Sequence, residues 1–337
     1  MRKQRVLVLG ATGLVGSTLL QILEERNFPV DSLRLLGTAR SEGTIMNVFG
    51  DSVRVEPVTP GCFKGIDICF FAASADAARV LARQASDNGA VVIDKSNAFR
   101  MDTRVPLVVP EVNSHHLERH RGIVGSPNCS TIQMVVALWP LEKAARLRRV
   151  VAVTYQSVSG TGKQAMQELS VQSEHVLEGR AVRPQVYPAQ IAFNLIPHID
   201  DFGEEAYTGE EWKMVKETQK ILDRPDLVIS PTCVRVPVFV GHSEAVLCET
   251  EKTLTPTAAR DLLSQSPSIE ILDDPDENLY PLPVHVASTD KVYVGRLRKD
   301  LSSPNGLWLW IVADNLRKGA ALNAVQIAER LIEMDLL

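Results

Sequence analysis

Apolar positions change rhythm near residue 130. Before that point, short apolar runs alternate with helical stripes. Residues 5–9 read as a buried strand, and the segment after them carries Val15, Leu19, Ile22 and Leu23 at i, i+4, i+7 and i+8, one buried helix face. Strand-like runs recur at 33–36, 66–72, 90–93 and 123–124, with an Ala-rich helix predicted over about 75–88. Such alternation predicts a parallel sheet with right-handed crossovers. Beyond the apolar run 132–141, the stretches 150–157, 227–239, 245–249 and 292–298 are β-branched and alternating, and 307–312 is nearly all apolar. They predict a mixed or antiparallel sheet. Residues 158–226 are expected to hold helices and loops that cover this sheet or meet a second subunit. The last stretch has Ala324, Ile327, Ala328 and Leu331 at helical spacing and is expected to return to the first domain. The fold class is therefore α/β: a Rossmann-type doubly wound N-terminal domain, residues 1–128 plus 319–337, and a second α+β domain, residues 129–318.

Composition narrows the function. A chain of 337 residues, 45% apolar and 23% charged, suits two soluble domains. The net charge of −5 argues against nucleic acid as a partner, since phosphate binding needs a basic face. Arg2, Lys3 and Arg5 are followed by an apolar run of only residues 6–9, too short for a signal-peptide core, and no run approaches a membrane span. Five cysteines without a CxxC pair suggest neither a disulfide framework nor a metal site, so a cytoplasmic protein is expected.

Two stretches carry chemistry. Gly10-Ala11-Thr12-Gly13-Leu14-Val15-Gly16 joins the first strand to its helix, in a G-x-x-G-x-x-G spacing that lets the backbone approach a pyrophosphate. The second strand leads into Gly37-Thr38-Ala39-Arg40-Ser41, without the acid that would read a ribose 2′-hydroxyl. A guanidinium and hydroxyls suit a 2′-phosphate, which points to NADP; a solvated arginine is the plainer alternative. The other stretch is Gly125-Ser126-Pro127-Asn128-Cys129-Ser130-Thr131, a polar turn that sets Cys129 at the start of the next helix. The positive end of a helix dipole favours a thiolate. A buried inert thiol is the alternative, and the polar flanks speak against it. A nicotinamide cofactor with a reactive thiol implies thiolate addition to an aldehyde, hydride departure and a remaining thioester. In the second domain, Arg235 at one end of a strand and His242 just past its far end fit a carboxylate anchor and an acid/base, although Arg235 also suits a structural ion pair. His115, His116 and His120 look solvated.

The residues just named resemble the aspartate-β-semialdehyde dehydrogenase family over nearly the whole chain. The likeness rests on Gly10–Gly16, Ala98-Phe99-Arg100, Pro110-Glu111-Val112-Asn113, Pro127–Thr131, Tyr155-Gln156-Ser157, Tyr187–Asn194 with Pro197-His198, Glu210–Lys213, Arg235–Ser243 and Asp314–Ala320. Lys95-Ser96-Asn97 departs from the family's usual small hydroxyl residues. The resemblance implies NADPH-dependent reduction of L-aspartyl-4-phosphate to aspartate semialdehyde and phosphate, toward lysine, methionine and threonine. It implies Cys129 as nucleophile, His242 as acid/base and Arg235 on the substrate α-carboxylate. Gln156 would position the acyl group, Glu210 the amine side, and Arg100 with Lys213 the phosphate. For the cofactor it implies Gly10, Thr12, Gly13, Leu14, Val15, Gly16, Thr38, Arg40, Ser41, Ser74, Ser159, Gly160 and Asn315. It further implies a homodimer or homotetramer built through the second domain, and no metal. N-acetyl-glutamyl-phosphate reductase and glyceraldehyde-phosphate dehydrogenase share the thiol chemistry, but lack the 210–213 and 314–320 segments as written here. A noncatalytic relative would be expected to have lost Cys129, His242 or Arg235.

Overall fold

Val6 and Val8 of the first strand face one apolar core, and Leu7 and Leu9 face another. A strand buried on both faces reads as a continuous apolar run, as this one does. It is β1 (Gln4–Leu9), followed by β2 (Val30–Gly37), β3 (Ile45–Val48), β4 (Asp51–Pro57), β5 (Ile68–Phe71), β6 (Val91–Asp94) and β7 (Ile123–Gly125). The seven strands lie in the order β3-β4-β2-β1-β5-β6-β7, all parallel except for β3 on β4. Helix α1 (Leu14–Glu25) and the C-terminal helix Leu322–Glu333 fill the first core, through Leu19, Leu23, Val325 and Ala328. Helix α2 (Ala75–Asp87) fills the second with Ala78, Ala82 and Ala85. The computed structural model describes residues 2–337, and the chain divides into two units: the part up to Asn128 with Ala320–Leu337, and Cys129–Gly319.

The expected solvated histidines need two corrections: His120 is only partly exposed, its Nδ1 accepting from the Gly122 N–H at 3.1 Å and its Nε2 lying 3.0 Å from the Leu336 carbonyl oxygen. The segment after α3 (Pro110–Asn113) is a 3-10 turn, Ser114–Arg119, in which Leu117 enters the core and carries His116 inward. His116 is buried, its ring nitrogen 3.1 Å from Nδ2 of Asn113.

In the second unit, α4 (Cys129–Ala145) precedes β8 (Leu147–Gln156), then come α5 (Lys163–Leu177), α6 (Gly209–Ile221), β9 (Val228–Arg235) and β10 (His242–Thr250). After α7 (Pro256–Ser264), β11 (Ile269–Ile271) and α8 (Pro283–Val286) come β12 (Val292–Lys299) and β13 (Gly306–Ala313). The six strands lie in the order β11-β12-β13-β10-β8-β9, with parallel pairs at both edges and antiparallel pairs inside. Helices α4, α6 and α7 pack on one face. The stretch 227–239 is not one strand. β9 stops at Arg235, two residues before Pro237, which has no N–H for a ladder. Arg235 and His242 therefore do not share a strand, and β8 runs between theirs. No helix among the described residues is long and apolar enough to cross a membrane.

Candidate active site

Sheet register brings the second unit's polar residues together. Gln156 of β8 pairs with Arg235 of β9, and His242 of β10 pairs with Ala313 of β13. Ser243 pairs with Tyr155, which sets His242 beside Gln156. Arg235, Gln156 and His242 thus form a row across three neighbouring strands, and all three are buried. Residues paired across a ladder point to the same face. Here that face meets α4 and α6: Gln133 of α4 donates Nε2–H to the His242 carbonyl at 3.2 Å, and Gln156 Nε2 donates to Glu210 of α6 at 3.0 Å.

The His242 ring is held at Nδ1. The backbone N–H of Ser157 donates to its Nδ1 at 3.0 Å, and the Ser157 hydroxyl lies 3.1 Å from the same nitrogen. Burial, helped by the nearby Arg235 guanidinium, pushes the His242 pKa down to about 3, so the ring is neutral at physiological pH. Asn315 fixes the surrounding loops: its Oδ1 accepts from the Gly241 N–H at 2.8 Å and from the Ser157 hydroxyl at 3.1 Å, and its Nδ2 reaches Ser159 at 2.9 Å. Gly160, in the 3-10 turn Val158–Gly160, lies so close that a Cβ there would stand 3.4 Å from His242 Nε2 and 3.2 Å from an Arg235 nitrogen.

Two donors in this row lack partners. Arg235 gives Nη1–H to the Ser157 carbonyl at 2.7 Å, yet its buried Nε has no hydrogen-bond partner, and neither does His242 Nε2. Unmatched buried polar groups are rare and costly, and a cluster of them suits a bound oxygen-rich ligand. Beside them, Lys213 Nζ donates to Asp200 at 2.7 Å and to Glu210 at 3.2 Å. Burial alone would lower the Lys213 pKa, but Glu210 and Asp200 outweigh it and hold the amine charged.

Cys129 opens α4 and is partly exposed, and no acidic residue stands in the helix's first turn. Gln133, one turn on, joins this helix to the His242 row. The backbone of Gly319 passes so near that a Cβ there would come 3.0 Å from the Cys129 Cβ. Sequence reading named Ser157 within the 155–157 motif but gave it no role, and missed Gln133, Glu244 and the closeness of Gly319. The 314–320 motif contained the last of these, without a sign of its use.

The remaining expected residues lie in the first unit. Gly10 has φ +84°, and a Cβ there would stand 2.3 Å from the Ala72 carbonyl oxygen; at Gly16 it would stand 2.2 Å from the Gly10 oxygen. Glycine is required at both. Gly13 caps α1 without a side chain, Leu14 and Val15 form its first turn with no acid in it, and Thr12 precedes it, which leaves N–H groups for an anion. Thr38 and Arg40 are exposed after β2, and Ser41 turns back to the Thr38 carbonyl at 3.0 Å. This chemistry, with no acid at the strand end, fits a dinucleotide bearing a 2′-phosphate. Ser74 has a local task, capping α2 by accepting from the Ala77 N–H at 3.3 Å. Arg100 is buried and donates to the Ser126 carbonyl at 3.1 Å and the Lys95 carbonyl at 2.8 Å, bracing the loops after β6 and β7.

Residues 5–120 match the family model "Semialdehyde dehydrogenase, NAD binding domain", and residues 138–318 match "Semialdehyde dehydrogenase, dimerisation domain". The chain is 49% identical to an aspartate-semialdehyde dehydrogenase of Aquifex aeolicus over 99% of both chains. It is 46% identical to that of Bacillus subtilis, over 100% of this chain and 99% of the other. The crystal structure of Vibrio cholerae aspartate semialdehyde dehydrogenase II complexed with ASA superposes with a TM-score of 0.96, at 46% identity and 99% coverage of each chain. With both domains matched and identity this high end to end, the chain belongs to the aspartate-semialdehyde dehydrogenase family.

Proposed function

We propose that this chain reduces L-aspartyl-4-phosphate to L-aspartate-4-semialdehyde and phosphate, through a thioester on Cys129, in the supply of lysine, methionine and threonine. The observation that carries the reading is the pair of unpartnered buried donors, Arg235 Nε and His242 Nε2, on one row of the second sheet. A substrate with a carboxylate at one end and a reacting carbonyl at the other matches both. The first unit is assigned as the NADP-binding domain, and the second as the catalytic and dimerisation domain.

In this account the Cys129 thiolate attacks the acyl carbon, the C–O bond to phosphate breaks, and the thioester remains. Residues 10–16 with Thr38, Arg40 and Ser41 would hold NADPH, which would supply the hydride to the thioester carbon; the C–S bond then breaks, and the aldehyde and the Cys129 thiolate are released. Because Nδ1 of His242 accepts a backbone N–H, the neutral ring carries its proton on Nε2. Nε2–H then donates to the carbonyl oxygen as negative charge builds there. Arg235 holds the α-carboxylate through the Nε–H left without a partner, while Nη1–H is fixed on the Ser157 carbonyl. Gln156, fixed by Thr154 and Glu210, orients the acyl chain. Glu210 faces the substrate amine, and Arg100 and Lys213 are assigned to the phosphoryl group. Ser74, Ser159, Gly160 and Asn315 complete the proposed cofactor contacts, the last three also shaping the loops around His242.

The sheet face turned away from α4 presents Val151, Val153, Tyr155, Ala245, Trp308 and Trp310, apolar and half-buried. Such a face suits a second copy of the chain, and a homodimer, with a tetramer as its further assembly, is the proposed state. The proposed compartment is the cytoplasm. The test is turnover of aspartate semialdehyde by the purified protein with NADP and phosphate. NADPH formation that requires phosphate supports the reading, and its absence at any phosphate concentration overturns it.

A further inference from the structure

One row behind His242, on the same face of β10, lies a carboxyl group that the mechanism does not use. Glu244 pairs with Thr154 of β8 and Ile311 of β13 and is fully buried. Neither of its oxygens has a hydrogen-bond partner. Oε1 of Gln133, on the helix above, is also buried and unpartnered, while the same carboxamide gives its Nε2–H to the His242 carbonyl. An ionised carboxylate cannot answer Oε1, because both groups only accept. Flipping the carboxamide does not help, since Oε1 would then face the His242 carbonyl oxygen. A proton on Glu244 would supply the donor that this cluster of buried acceptors lacks.

The surroundings favour that proton. The titratable groups facing Glu244 are Glu210 of α6 and Cys233 of β9, with neutral His242 one row on. Lys213 spends its charge on Glu210 and Asp200. Burial raises the Glu244 pKa well above the carboxylate range; the polar contact with the Gln133 side chain opposes it, and Glu210 adds a lesser upward push.

We propose that Glu244 is a positioning residue: as a neutral acid it donates to Gln133 Oε1, fixes the carboxamide that holds the His242 carbonyl, and so sets where His242 Nε2 points. The functional half of this rests on the role given to His242 above; the protonation half does not.

The sign of the pH effect follows from linkage. The unfolded carboxyl ionises near ~4.3 while the native one stays protonated, so native stability falls as pH rises above that value. Glu244→Gln keeps the shape and the donor but has no proton to lose. Its melting temperature relative to wild type should therefore climb steadily between about pH 5 and about pH 8. A flat or shrinking difference would mean that native Glu244 is ionised and would overturn the proposal. For positioning, Glu244→Gln should retain kcat and its pH profile. Glu244→Leu and Gln133→Leu should each lower kcat roughly 10-fold with KM for semialdehyde little changed, and the double variant should be no worse than either. Additive losses, or losses seen chiefly in KM, would refute a shared role in holding His242. Should the protein lack dehydrogenase turnover altogether, the reading of the site fails, and the melting curves still decide the state of Glu244.

Discussion

Ser157 gives its backbone N–H to Nδ1 of His242 at 3.0 Å, and this bond decides which ring nitrogen carries the proton. A nitrogen that accepts an N–H has no hydrogen of its own, so the neutral ring is protonated at Nε2, the atom left without a partner. Nε2–H is therefore the proposed donor to the substrate oxygen.

A neutral, buried imidazole has a stability signature. With its pKa near 3, native His242 refuses the proton that the unfolded chain takes up below ~6.5. The stability it contributes is present above that pH and is lost as pH falls toward 3. His242→Asn should therefore lose melting temperature less steeply on acidification than wild type, while its kcat drops by about two to four orders of magnitude. Parallel melting curves would show that the native ring is protonated.

The two ends of the substrate should separate by mutation. Arg235→Leu should raise KM for semialdehyde roughly 10- to 100-fold and change KM for phosphate less, on the scale of a lost charge-assisted hydrogen bond. Arg100→Lys keeps the charge but loses the fork, and should act chiefly on phosphate. Steady-state kinetics with each substrate varied at saturating levels of the other would check this. Arg235 acting mainly on phosphate would reverse the assignment.

Cofactor choice is assigned to Arg40, exposed after β2 with no ion pair among the described residues. Arg40→Ala should weaken NADPH binding about tenfold or more and leave NADH binding nearly unchanged. Fluorescence titration of both cofactors tests it, and equal losses would make Arg40 a loop residue only.

Local patterns were legible in the sequence, and relations across strands were not. The glycine turn after β1 showed itself because strand, glycines and helix are neighbours in sequence. The polar flanks of Cys129 likewise announced a helix start. By contrast, the alternation of Val234, Val236, Val238 and Val240 runs straight through the break at Pro237, so Arg235 and His242 read as one strand. Only the pairing of three strands reveals their row. Glu244 was invisible for a related reason: a charged residue in an alternating strand reads as solvent-facing, and its buried side is set by α4. His116 was misplaced because a 3-10 turn, not an α-helix, decides which side of that segment is inward.

Gly319 tests how closely the chain constrains Cys129, the proposed nucleophile. Alanine there would set a methyl 3.0 Å from the Cys129 Cβ, nearer than ordinary contact. Gly319→Ala should lower kcat at least about tenfold with cofactor affinity unchanged. Full activity in that variant would mean that the Cys129 turn yields freely.

The covalent intermediate is the centre of the account, and intact-protein mass spectrometry reads it directly. Wild-type protein given aspartyl phosphate without NADPH should gain the mass of one aspartyl group, hydroxylamine should remove it, and peptide mapping should place it on Cys129. Cys129→Ala should show no adduct and retain less than about one per cent of turnover. An adduct of equal yield in Cys129→Ala, or turnover that survives the loss of the thiol, would contradict the assignment.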